Sequence, residues 1–194
     1  MKILEEIKLL HKEEIARRYF IINSFDGALT VLGIITAIFV AGIHEAKVVI
    51  VSCLGASVAI AISGVWSAYF AERAERIKAM KELERQMLID LRNSIVGKSI
   101  FRKSLMIAIV NGFSPFIVSM ILLIPFILVE INFIMIGDAF YLFFLMVGMI
   151  LLALGIFTGE IAGENKLLNG VRMLIAGIIV GIIITFIEIL KSKL

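Results

Sequence analysis

Cysteine, histidine and proline are nearly absent from this chain. Its 194 residues include one cysteine, two histidines, two prolines and one tryptophan. The lone thiol, Cys53, lies in an apolar run and cannot close an intrachain disulfide. His11 lies among charged residues and His44 in a short loop. With so few imidazoles and thiols, no side-chain cluster of the kind that retains a metal cofactor stands out, and no permanently bound cofactor is expected. No nucleophile–base pair and no glycine-rich phosphate loop is evident either, so enzymatic activity is not expected. Charge is also sparse, at 18% of residues with a net of +3. The basic residues are interleaved with acids, and nucleic acid is not an expected partner.

Apolar sequence fills the space. Hydrophobic residues make up 61% of the chain, and the mean hydropathy is +1.06. Soluble domains run nearer 45–50% apolar, so the composition indicates a polytopic membrane protein in contact with a lipid bilayer. Five runs, roughly 19–42, 47–71, 104–129, 133–159 and 170–190, each approach the ~20 apolar residues needed to cross the hydrocarbon. The fold class expected is therefore an all-α integral membrane protein with five transmembrane helices. The first 18 residues, MKILEEIKLLHKEEIARR, carry charge throughout. They lack the apolar core of a cleavable signal peptide and are expected to form an amphipathic helix on the inner membrane surface.

The basic residues divide unevenly between the two ends of such a bundle. Lys2, Lys8, Lys12, Arg17 and Arg18 precede the first span. Arg73, Arg76, Lys78, Lys81, Arg85, Arg92, Lys98, Arg102 and Lys103 lie between the second and third, and Lys166 and Arg172 lie around the connection of the fourth to the fifth. Lys47, Lys191 and Lys193 alone fall on the other side. The positive-inside rule then puts the amino terminus in the cytoplasm and the carboxy terminus outside, as in the plasma membrane of a prokaryote.

Two domains of sequence result: an amino-terminal segment, 1–18, and a membrane region, 19–194, with a cytoplasmic helical segment at about 72–103. In that segment AERAERIKAMKELERQMLID is rich in helix formers, and it is expected to prolong the second span as one long helix. Glu72 and Arg76 are among its i,i+4 pairs. Ala79, Met80, Leu83, Met87 and Leu91 form an apolar stripe at helical spacing. The stripe reads as a packing face. Met80, Glu84 and Met87, on nearly one face, are also possible cytoplasmic metal contacts.

Polar residues inside the spans fall at similar depth. Asn23, Ser24, Asp26 and Thr30 lie in the inner half of the first span, Ser63 and Ser67 in the second, Asn111, Ser114 and Pro115 in the third, and Thr158 and Glu160 close the fourth. This distribution predicts a wet vestibule open to the cytoplasm. A carboxylate at mid-bilayer costs roughly 2.5–3.5 kcal/mol on insertion scales, so Asp26 is a functional candidate by default. The alternatives are a buried acid, hydrogen-bonded to Ser, Thr or Asn or held protonated, and a member of an ion or proton pathway. Asp26, Thr30, Ser63, Ser67, Asn111, Ser114 and Glu72 are the candidate pathway residues. An Asp with hydroxyls makes an oxygen-rich site that does not strongly select among iron, manganese and magnesium.

The order of these elements resembles the vacuolar iron transporter family of five-span metal transporters. RRYFIINSFDGALTVLG, with its Asp-Gly pair followed by Thr and Leu-Gly, is similar to that family's first span. LALGIFTGEIAGENKLLNGVRMLIAG, residues 152–177, is similar to its end of span four and start of span five. The resemblance implies a homodimer whose first spans flank a central pathway. It also implies export of Fe2+ or Mn2+ from the cytoplasm in exchange for protons, with Asp26 as the first-span acid. Small-residue faces, Gly33 and Ala37 after Asp26 and Thr30, suit such a dimer. The chain departs from the family in span two. In ISGVWSAYFAER, Ser63 matches, but Gly64 and Ala68 stand where the family has Met and Glu, and the cytoplasmic segment is short. A second expectation therefore stands beside transport: a non-transporting protein of the same fold that binds a lipid or a membrane-protein partner.

Overall fold

A computed structural model describes residues 2–191, with side chains for 14–187, 189 and 190. The apolar face expected of the first 18 residues lies mostly outside the described side chains. Five helices follow one another: α1 (Lys2–Val40), α2 (Ala46–Met87), α3 (Ile95–Glu130), α4 (Ile136–Ala162) and α5 (Lys166–Lys191). Each contains a stretch long and apolar enough to cross a membrane. The protein is an all-helical membrane protein, and among the described residues there is no strand.

Up-and-down connectivity gives the bundle two unlike ends. The amino terminus and the α2–α3 and α4–α5 turns share one end, which carries most of the charge; the α1–α2 and α3–α4 turns lie at the other. No break separates the amino-terminal stretch from the first span, because α1 is continuous. At 1.5 Å per residue the 42-residue α2 is about 63 Å long, twice a hydrocarbon core, so it overhangs the charged end. As expected, the overhang prolongs the second span as one helix, and it ends at Met87. Leu88 takes a left-handed conformation (φ 53°), and α3 begins seven residues later. Side chains make the stop: Glu84 accepts the Leu91 N–H at 2.8 Å, and Ser94 caps α3 by accepting from Gly97 N–H.

Helices in lipid gain little from apolar burial and must instead fit closely. Small residues allow this here. A Cβ on Gly27 would stand 2.7 Å from Cα and O of Pro115, so α1 lies directly against α3. A Cβ on Gly155 would stand 2.5 Å from the Gly170 Cα, which brings α4 against α5. The fully buried core, including Val31, Ile35, Leu122, Phe126, Phe143 and Leu151, fills the region between α1, α3 and α4. By contrast, only 17% of the most apolar stretch of α2 is buried, against 50% in α3, which leaves α2 with a long open face.

Candidate functional site around Asp26

The contact of Gly27 with Pro115 decides where Asp26 points. Ser24, Gly27, Ala28 and Val31 form the buried side of α1. Asp26 is offset from Gly27 by one helical step of about 100°, and it emerges on the exposed side with Ile22 and Ala37. Thr30 and Gly33, half-buried, continue that face. The Thr30 hydroxyl donates to the Asp26 backbone carbonyl at 2.8 Å, not to its side chain. The Asp26 carboxylate has no hydrogen-bond or ion-pair partner among the described residues. Among the described residues the acid is not hydrogen-bonded to Ser, Thr or Asn; a protonated acid and a pathway member remain as readings of Asp26.

Asn111 behaves in the opposite way. Its amide donates to the Gly64 carbonyl at 2.7 Å, and its Oδ1 accepts from Asn23 at 2.8 Å. Asn23 also donates to the Tyr19 carbonyl at 2.6 Å. This chain of bonds ties α1, α3 and α2 together at one level. Ser114 is buried and bonded to the Val110 carbonyl. From the Asn23–Asn111–Gly64 level, Asp26 lies about 4.5 Å and Ser63 about 1.5 Å towards the less charged end. Ser63 and Ser67 are exposed on the open face of α2, and Ser67 also leans on the Gly64 carbonyl at 3.4 Å.

Nearer the charged end, Glu72 accepts from Tyr19 at 3.4 Å and from Arg76 at 3.2 Å. Glu160 pairs with Lys166, and the Thr158 hydroxyl returns to the Leu154 carbonyl. The polar residues thus divide into an open surface (Asp26, Thr30, Ser63, Ser67), an interior lock (Asn111, Ser114) and a charged rim (Glu72). They do not line one vestibule within the single chain. Met80 is buried, Met87 is exposed, and Glu84 is turned to the Leu91 amide, so these three do not converge. Among the described residues no three His, Cys, Asp or Glu side chains gather as a metal site.

Gly64 explains one departure in span two. A Cβ there would stand 3.1 Å from both the Asn111 Nδ2 and the Gly112 Cα. Ala68, a turn further on, is buried, whereas Gly64 is half-buried. Gly64 lies against α3. Tyr19, the residue that reaches Glu72 across 53 positions, was not singled out from sequence, and no local pattern marks it.

No family model matches the chain, and no solved structure matches it. An uncharacterized protein of the archaeon Methanocaldococcus jannaschii, MJ0645, is 31% identical over 179 residues, 90% of each chain. The two proteins belong to one family. The shared stretch is long enough to include most of the five-helix bundle.

Proposed function

We propose that this protein is a homodimeric transporter that moves divalent metal ions out of the cytoplasm, with Asp26 in the pathway. The observation that carries this reading is the Asp26 carboxylate: exposed on a membrane-crossing helix, without a partner among the described residues, and close in level to the hydroxyl of Ser63. A bare carboxylate is not stable against lipid. A second copy covering the α1 and α2 open faces would remove it from lipid and bring two carboxylates with their hydroxyls to a shared axis. Oxygen donors of that kind suit Fe2+ or Mn2+ as cargo and protons as counter-ions. The uneven distribution of basic residues supports a cytoplasmic amino terminus, in the plasma membrane of a prokaryote. The likeness of the first span to the vacuolar iron transporters supports the same assignment.

The second reading keeps the fold and drops transport. On the resemblance alone Gly64 and Ala68 favour it, since neither offers the ligand that the vacuolar iron transporters carry there. The test is metal uptake into proteoliposomes for Fe(II), Mn(II), Co(II) and Mg(II), with and without a pH gradient. Metal-selective flux that Asp26→Asn abolishes, in a variant that still folds, is the expected result. Absence of flux for every ion, with native protein of verified fold, would leave the non-transporting reading.

A further inference from the structure

At the charged end of the bundle, α1, α2 and α3 enclose a crevice of about 80 Å³ lined by Ala16, Arg76, Lys103, Met106, Ile107 and Val110. Its chemistry is two-sided. Met106, Ile107 and Val110 belong to the first turns of the third span and give an apolar floor. Arg76 and Lys103 are the cations at its rim, near the boundary between hydrocarbon and headgroups.

Arg76 is the informative residue. Its side chain is three-quarters buried, and one amino group, Nη2, pairs with Glu72 at 3.2 Å. Its Nε is buried and has no hydrogen-bond partner. A guanidinium presents five N–H donors in a planar fork, and a buried donor left unmatched carries its full desolvation penalty. Glu72 is already engaged by Tyr19 and by Nη2, so it does not serve the Nε.

We infer that this crevice is a binding site for the phosphate of an inner-leaflet phospholipid. A phosphate oxygen would accept from the Arg76 guanidinium, and the glycerol end of the tails would lie over Met106 and Val110. Phosphate oxygens match the guanidinium fork, and basic pockets between membrane helices on the cytoplasmic side suit lipid headgroups. The apolar floor argues for a lipid over free phosphate. The site stands whether or not the protein transports metal.

The experiment is binding by native mass spectrometry and thermal melting in detergent, using three probes: dioctanoyl phosphatidylglycerol, dioctanoyl glycerol (the tails without phosphate) and inorganic phosphate. Saturable binding of the phospholipid at least tenfold tighter than either other probe is expected. Arg76→Gln should weaken it about tenfold, the loss of one charged hydrogen-bond donor. Ala16→Leu, which fills the crevice without altering charge, should weaken it as well, so the proposal does not depend on how Arg76→Gln folds. Arg85→Gln, an exposed cation of the overhang, should bind as the native chain does. Equal affinity for inorganic phosphate would identify a soluble anion site instead. Equal loss in Arg85→Gln, or unchanged binding in Ala16→Leu, would reduce the effect to diffuse surface charge and overturn the proposal.

Discussion

Replacing Gly27 by alanine tests the contact that orients Asp26. The added methyl would stand 2.7 Å from the Pro115 Cα and carbonyl oxygen and 2.9 Å from its Cβ. Ordinary carbon contacts lie near 3.5–4.0 Å, so α1 and α3 would have to part by about 1 Å. The opposing atoms are mostly backbone, and a proline at that, so no side-chain rotation relieves the clash. Overpacking of this kind costs about 1–3 kcal/mol. Parting the helices also stretches the Asn23–Asn111 bond from 2.8 Å beyond hydrogen-bonding range, a loss of about 0.6 kcal/mol for a typical membrane pair. Alanine gains up to about 1 kcal/mol over glycine in helix propensity. The net expectation is destabilisation by roughly 2 kcal/mol. Gly148→Ala is the control, since its methyl would meet only the Leu174 Cδ2 at 3.9 Å and should be neutral or stabilising. Reversible unfolding in mixed micelles, followed by circular dichroism, measures both. A Gly27→Ala protein as stable as the native chain, or two variants shifted in the same direction, would refute the close approach of α1 to α3.

Leu88 is 90% exposed and held at φ 53°, so Leu88→Gly should stabilise the protein by about 0.5–1 kcal/mol in the same unfolding assay, and destabilisation would show that the leucine is held by contacts. A double-mutant cycle of Asn23→Ala and Asn111→Ala should give a coupling near 0.6 kcal/mol and no more than about 1.7 kcal/mol; zero coupling would remove the lock between α1 and α3. The Arg92 backbone N–H, and then its guanidinium, hold Asp90 below the usual carboxylate range. A group whose folded pKa is depressed stabilises its turn above the ordinary value, near 4, and loses that effect as pH falls through the folded pKa. An NMR titration of the Asp90 carboxyl should therefore show a midpoint under that of a free aspartate, and a midpoint at or above it would refute the pairing. Ala37→Cys in a Cys53→Ala background should form an intermolecular crosslink in bilayers if the Asp26 faces meet, whereas a monomer that resists crosslinking counts against the dimer.

The five spans were legible because lipid leaves no latitude: each crossing needs a long apolar run, and each run is visible. The overhang of α2 was legible for a similar reason, since its helix formers continue without Gly or Pro. Its end was not. The stop falls on a leucine in a left-handed conformation, and the residue that holds the turn, Glu84, precedes the amide it accepts by seven positions. No composition cue marks such a turn. Helical period placed Asp26, Thr30, Gly33 and Ala37 on one face, and it also placed Asn111 and Ser114 at a matching depth. Depth does not specify direction. That Asn111 turns inward to Gly64 while Asp26 turns outward depends on contacts between residues 88 positions apart, Asn23 with Asn111 and Gly27 with Pro115.

Gly64 shows how the same residue reads differently in one dimension and in three. Beside the vacuolar iron transporters it reads as a lost methionine ligand, and so as evidence against metal chemistry. In the bundle it is the only residue type that lets the Asn111 amide and the Gly112 Cα approach without displacement, and its carbonyl is the acceptor that anchors Asn111. A side chain at this position would press its Cβ on the Asn111 amide and the Gly112 Cα. The glycine suits this close packing, where an added Cβ would ask its neighbours to give by a few tenths of an ångström, so its presence says little about the pathway. The proposed transport chemistry rests on the open surface instead, on a carboxylate with no partner among the described residues and the hydroxyls near its level. For that reason the flux of Asp26→Asn discriminates between the two functional readings, and a ligand restored at position 64 would not.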